Sequence, residues 1–287
     1  MRSLPLPTND NAQPFEAGEV FETCVSMVKN STLRAKLRSV RPEVETAAAD
    51  YDHKAASSRL FQTASHNTVG GVSGAEMVQV YTGRMVPKNS TGRAIYNRIM
   101  ASPVNQRCPL CGIGTVNTLD HYLPKTHFPI FSVTPNNMVP ACTWCQGAKL
   151  EYYSETRGGQ IFHPYFDDFD SDEWLMTEVV VGSPAAFRFY SSPPDHWSAA
   201  NKVRAATHLK QLNLRVLFSS NAGSRLSEIR SRLGSLLQKG GGEAAVRNHL
   251  QEELASIEAE HKNSWVAAMY RAAAKCDWFC QGGFDAA

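Results

Sequence analysis

CPLCGIGTVNTLDHYLPKTHFPIFSVTPNNMVPACTWCQGAK, residues 108–149, is the stretch on which the reading of this chain turns. It opens on one CxxC pair, Cys108 and Cys111, and closes on a second, Cys142 and Cys145. A single CxxC has many explanations. Two of them about thirty residues apart form a metal signature, because each tight turn brings two sulfurs to one point. Four thiolates can hold one Zn²⁺ tetrahedrally, which closes that ion to chemistry and makes it a structural staple. Asp120 and His121 lie between the pairs.

TVNTLDH, residues 115–121, ends in β-branched and apolar residues and reads as a short strand. Neighbouring strand residues point to opposite faces, so Asp120 and His121 serve one centre only where the strand ends. LPK, directly after His121, supplies such an end. A carboxylate can hold a hard divalent cation, and a neutral imidazole can take a proton from water. The alternative is a capped strand with a surface histidine. In PNNMVPAC, residues 135–142, Asn136 and Asn137 precede a second strand. They either pin loop backbone through their side chains or form a plain turn.

These residues resemble the HNH endonucleases, the zinc-knuckle branch of the His-Me finger nucleases. The match is carried by CxxC, LDHxLPK, NNMVPACxxC and a Lys four positions after the last Cys. The resemblance implies a ββα-metal core. It makes His121 the general base, Asp120 the first ligand of a catalytic Mg²⁺ or Mn²⁺, and Asn137 the residue that orients the loop carrying the base. The position after the last Cys, usually His or Asn, is Gln146. Its amide oxygen can still ligate a hard cation. His163, with Asp167 and Asp168 behind it, is either an alternative ligand or a packed loop histidine. Lys125, Lys149 and Arg157 are candidate contacts to a DNA backbone. More loosely, LDHYLPK, FHPYFD and a helical tail resemble HNH proteins of bacterial anti-phage defence, of the Septu and retron-associated types. That similarity implies an ATPase partner protein.

Outward from this core, residues 1–15 hold three prolines and read as an irregular lead-in. Helices are expected over 15–30 and 31–62, with Asn30 or Ser31 as an N-cap and Pro42 as a kink or a restart. AEMVQVY, residues 75–81, reads as a short strand or a helical turn. After the second CxxC, an acidic loop leads to EWLMTEVVV and FRFYSS, which read as a β-hairpin. From Asp195 the pattern is helical. One long amphipathic helix is expected over 243–279, with Val246, Leu250, Leu254, Ile257 and Met269 on one face. The expected class is therefore α+β: a small zinc-stapled ββα-metal core with a β-hairpin, flanked by helical regions. The expected segments are 1–104 (helical), 105–170 (core), 171–194 (hairpin) and 195–287 (helical).

Composition narrows the function classes. The sequence of 287 residues is 43% hydrophobic, enough for one sizeable domain or two small ones. It contains no run of about 18 apolar residues and no apolar segment of signal-peptide type near Met1, so the expected compartment is the cytoplasm, with no membrane partner. Cys24, Cys276 and Cys280 then remain as free thiols. Residues 1–107 carry 13 Lys/Arg and 9 Asp/Glu, residues 108–195 carry 4 and 10, and residues 196–287 carry 12 and 8. The motif region is acidic and its flanks are basic. Basic flanks can contact phosphate, and a bound cation would offset the acidic motif. The expected function is metal-dependent hydrolysis of DNA phosphodiesters, in anti-phage defence or restriction. The competing readings are an inactive zinc-stapled module that binds nucleic acid or docks a partner, and a thiol redox protein, which needs a metal-free reactive pair.

Overall fold

Asn30 caps a helix, as its position suggested. Its side chain accepts the Leu33 N–H at 2.9 Å, so that α1 (Ala17–Val25) is followed by α2 (Ser31–Ser39). Pro42 lies in the first turn of α3 (Arg41–Ala56), where its missing N–H goes unneeded, and it restarts the helix without kinking it. A two-residue pair, β1 (Thr68–Val69) and β2 (Val72–Ser73), leads into α4 (Gly74–Arg84). AEMVQVY is thus helical. Ser73 and Glu76 form a capping box that fixes the start of α4 and overrides the β-branched residues in it. α5 (Arg93–Met100) precedes the first CxxC.

β3 (Thr118–His121) and β4 (Met138–Ala141) pair antiparallel, and α6 (Thr143–Lys149) follows directly. Leu119 stands opposite Pro140. Proline cannot donate to a ladder, so this pair turns its backbone groups away from the partner strand. Tyrosines meet those groups. The Tyr81 hydroxyl donates to the Leu119 carbonyl at 3.0 Å, and the Leu119 N–H donates to the Tyr96 hydroxyl at 3.4 Å. On the other edge the Tyr165 hydroxyl donates to the Met138 carbonyl at 2.9 Å. A two-stranded sheet can be buried only if its edges are satisfied in this way.

The computed structural model describes residues 1–285, in two compact units. One spans Arg2–Asp168; the other holds Met1 and the chain from Phe169 onward. The N-terminal helices and the cysteine-rich segment therefore share one unit, while the later hairpin belongs with the C-terminal helices. In that second unit β5 (Leu175–Val180) pairs antiparallel with β6 (Ala186–Ser191). α7 (Ala199–Gln211) and α8 (Leu214–Lys239) follow. The long helix expected over 243–279 is three: α9 (Gly242–His261), α10 (Trp265–Lys275) and α11 (Asp277–Cys280). Ser264 caps α10 by accepting the Ala267 N–H at 3.1 Å. Its hydroxyl competes with helix continuation, and the apolar periodicity on either side hid that break. Among the described residues the class is α+β, with helices and three two-stranded sheets. Among the described residues no helix is long and apolar enough to cross a membrane.

Candidate metal centre and the buried Asp-His-Lys site

The sulfurs of Cys108, Cys111, Cys142 and Cys145 all lie within 4.8 Å of one another, and all four residues are buried. A tetrahedral ion with arms of about 2.3 Å would hold its ligands about 3.8 Å apart. The Cys111 and Cys142 sulfurs are 3.8 Å apart. This donor set can hold a metal such as zinc. Local sequence builds it. After Cys111 the chain turns at Gly112, whose φ of 73° lies in the left-handed region. The Ile113 and Gly114 N–H groups then both point at the Cys111 sulfur, at 3.4 Å each. A Cβ on Gly114 would lie 2.6 Å from the Cys142 sulfur, so only glycine fits there. Cys142 is the N-cap of α6 and Cys145 lies in its first turn. The Cys111 thiol is held far below its ordinary range, first by Cys108 and then by Cys142, Cys145 and the Gly114 N–H.

His121 ends β3 with a side chain only 3% exposed. Its Nε2 lies 2.8 Å from the Ser132 carbonyl oxygen. A carbonyl can only accept, so Nε2 carries the proton. Burial, with the Lys125 charge second, pushes the imidazole down to about 3, so the ring is neutral and Nδ1 holds the lone pair. The Tyr81 ring meets it edge-on with centroids 4.5 Å apart, and the Lys125 ammonium stands 5.6 Å from that tyrosine's ring centre.

Asn137 is fully buried and pins the loop between β3 and β4. Its Oδ1 accepts the Leu123 N–H at 2.8 Å, and its Nδ2 donates to the carbonyls of Leu123 at 3.0 Å and Phe131 at 3.2 Å. That loop carries Ser132, the partner of His121. Asn136 instead holds both carboxylate oxygens of Asp52, at 2.9 and 3.0 Å.

Asp120 and Lys149 form a buried pair. The ammonium is 3.4 Å from Asp120 Oδ2, with side-chain exposures of 2% for Lys149 and 13% for Asp120. Lys149 also donates to the His121 carbonyl at 2.7 Å. Burial pushes the Asp120 carboxyl up and the Lys149 amine down, and each charge opposes the shift of the other. Lys149, a candidate for a phosphate contact or a plain surface cation, lies inside instead, its ammonium held between Asp120 and the His121 carbonyl. Gln146, one turn earlier on the same helix, donates its amide to the Thr118 hydroxyl at 3.4 Å. Thr118 and Asp120 share one face of β3. Asp120 Oδ2 is buried, and its charged neighbour is the Lys149 ammonium 3.4 Å away.

His163 is not part of this group. Its Nε2 meets the Tyr51 hydroxyl at 2.9 Å and its Nδ1 accepts the Tyr165 N–H at 3.2 Å, so both nitrogens are engaged. The ring stacks on Tyr122, 4.3 Å away, and packs against Phe166. The expectation that it ligates the catalytic cation is therefore withdrawn. Asp167 closes the same loop by accepting the His163 N–H at 2.7 Å. Arg157 is exposed and reaches the Ser57 carbonyl at 3.3 Å. Tyr81, Tyr96 and Ser132 escaped the sequence reading, since nothing in their local patterns marks them. Only the fold brings α4 and α5 against β3.

The arrangement defines an α+β protein in which a four-cysteine cluster, able to hold a metal, clamps a strand pair bearing a buried Asp-His-Lys group. The chain is 32% identical over 229 residues to protein ea31 of Escherichia phage lambda, a match spanning 75% of this chain and 76% of that protein. It belongs to the family of that phage protein. No family model matches the sequence, and no solved structure matches it.

Proposed function

We propose that this protein is a metal-dependent HNH endonuclease that hydrolyses phosphodiester bonds of DNA, on a ββα-metal core formed by β3, β4 and α6. The observation that carries the proposal is the His121 tautomer. Its Nε2–H is spent on the Ser132 carbonyl, which leaves Nδ1 as a base with its lone pair ready. A neutral imidazole at 3% exposure works on a bound water and is sheltered from bulk solvent. Asn137 holds Ser132's loop and so fixes the direction of that lone pair. Zn²⁺ on the four cysteines is the structural ion, which ties the start of α6 to the turn before β3. Asp120, with Gln146, would hold Mg²⁺ or Mn²⁺, which when bound stabilises charge on the phosphate and the leaving oxygen. Lys125, beside Tyr81, supplies a cation for the DNA backbone.

Plasmid nicking in Mn²⁺ or Mg²⁺ tests this directly. His121→Ala should keep its zinc content and lose nicking by at least about a hundredfold, the usual scale of a general base. Full activity in that variant removes His121 as the base.

The Lys149–Asp120 pair favours a second reading, an inactive zinc-stapled module that binds nucleic acid or docks a partner. An ammonium that already neutralises Asp120 reduces its hold on a cation. Mn²⁺ binding followed by electron paramagnetic resonance separates the two: the nuclease reading requires a site lost in Asp120→Asn. The resemblance to defence nucleases extends the proposal to a setting beside an ATPase partner. Size measurement of the chain co-expressed with such a protein tests it.

A further inference from the structure

Residues 196–227 contain no Asp or Glu, while Lys202, Arg204, Lys210, Arg215 and Arg225 fall among them. The stretch covers α7 and the first half of α8. Part of this charge is already used. Arg204 is buried, Arg225 pairs with Glu228 at 2.9 Å, and Lys202 pairs with Asp195 at 3.4 Å. Arg215 is exposed and makes no ion pair among the described residues. It borders an open groove of about 580 Å³ between β6 and α8, whose walls include Arg188, Tyr190, Val216 and Ser220. Two of these are large apolar groups left in solvent, with Tyr190 39% and Val216 56% exposed. Arg188 meets Glu178 at 2.9 Å, but both side chains are mostly in water, so the pair is weak and screened by salt.

From this we infer that the groove between β6 and α8 binds a single-stranded nucleic-acid segment, with phosphates on Arg188 and Arg215 and a base on Tyr190. A run of thirty-odd residues without an acid favours a polyanion as the occupant. Guanidinium forks suit phosphate oxygens, and an exposed aromatic ring accepts the face of any base. The inference rests on the nuclease reading for its purpose. Residues 108–195 carry only 4 Lys/Arg, Arg188 among them, against 10 Asp/Glu, so a nuclease with this core gains from added cations such as Arg215.

The test is fluorescence anisotropy of a fluorescein-labelled single-stranded DNA of about 20 nucleotides with the full chain, between about 50 and 200 mM salt. Wild type should bind and weaken as salt rises. Arg188→Gln with Arg215→Gln should cost at least about tenfold and flatten the log–log salt slope by about 1.4, two phosphate contacts at about 0.7 each. Tyr190→Ala should cost roughly five- to a hundredfold at an unchanged slope, the signature of lost stacking. Melting curves of all variants should match wild type, because every altered side chain is exposed. Variants that bind like wild type, or a wild type that captures no oligonucleotide at low salt, overturn the inference. The two readings fail separately. Binding that depends on Arg188 and Arg215 without nicking in Mn²⁺ rejects the nuclease and keeps the groove. Nicking in a protein whose groove variants bind unchanged rejects the groove and keeps the nuclease.

Discussion

β6 alternates exposed and buried residues, with Ala186, Arg188 and Tyr190 outward and Phe187 and Phe189 inward. β4 has no alternation at all: Met138, Val139, Pro140 and Ala141 are all buried. The two hairpins therefore hold together by different means. β5 and β6 lay one apolar face on helices and leave the other in water, the usual economy of an antiparallel pair. β4 is enclosed on both faces and β3 is part-covered even at Thr118 and Asp120, so the pair buries polar groups as well, and each of those needs a partner. Tyrosine hydroxyls take the strand edges, Asn137 takes the loop, Lys149 takes Asp120, and the cysteine cluster fixes both ends. A hairpin of this second kind is fragile to the loss of any one partner, and for the same reason it can hold a reactive group in one geometry.

The sharpest way to break the contrast is to remove the cysteine cluster. Metal binding at structural four-ligand sites contributes on the order of 10 kcal/mol in small domains. Cys142→Ser should abolish stoichiometric zinc by metal analysis and unfold the unit of residues 2–168 or render it insoluble. The β5–β6 unit has no part in the cluster. A melting curve and zinc content equal to wild type would remove the metal from the account of β3 and β4.

The next effect is electrostatic. Lys149→Met leaves the Asp120 carboxylate buried without its counter-charge, which should cost about 4 kcal/mol in urea unfolding. Adding Asp120→Asn to that variant should recover part of the loss, since the neutral amide no longer needs the ammonium. Losses that simply add would show that the two side chains do not interact.

In the open hairpin the comparable loss comes from packing alone. Phe189→Ala removes a buried ring and should cost about 3 kcal/mol, measured by denaturant titration. Zinc content should stay unchanged.

How much of each hairpin was legible follows from the same difference. FRFYSS alternates, and that pattern reads as a strand of the hairpin. MVPA does not alternate, and it was placed only because Cys142 and the resemblance fixed what surrounds it. The cysteines, Asp120, His121 and Asn137 were legible, since each sits in a spaced motif. The burial of Lys149 was not, because a lysine at a helix end reads as a surface cation, and only the packing of α6 on β3 shows otherwise. The sequence leaves His163 between ligation and a packed loop histidine, and the second holds: Tyr122, Tyr165 and Phe166 surround the ring, Nε2 meets the Tyr51 hydroxyl and Nδ1 accepts the Tyr165 N–H. The break at Ser264 was legible in principle, as a serine three residues ahead of Ala267, but apolar periodicity outweighed it.

The smallest predicted effect sharpens the comparison most, because it concerns a residue in a hairpin that should barely matter to folding. Arg188 stands outward on β6, 69% exposed, and its pair with Glu178 spans the two strands at 2.9 Å. Ion pairs in water are worth about 0 to 1 kcal/mol, since side-chain ordering and salt screening offset the attraction. Arg188→Gln should therefore shift the urea midpoint by no more than about 0.5 kcal/mol equivalent, and that small shift should vanish at high salt. A larger or salt-independent loss would mean that the outer face of β5–β6 is covered and structural, as both faces of β4 are. A negligible loss means that the second hairpin keeps an arginine and a tyrosine in solvent without needing either to fold, which leaves that face free for binding.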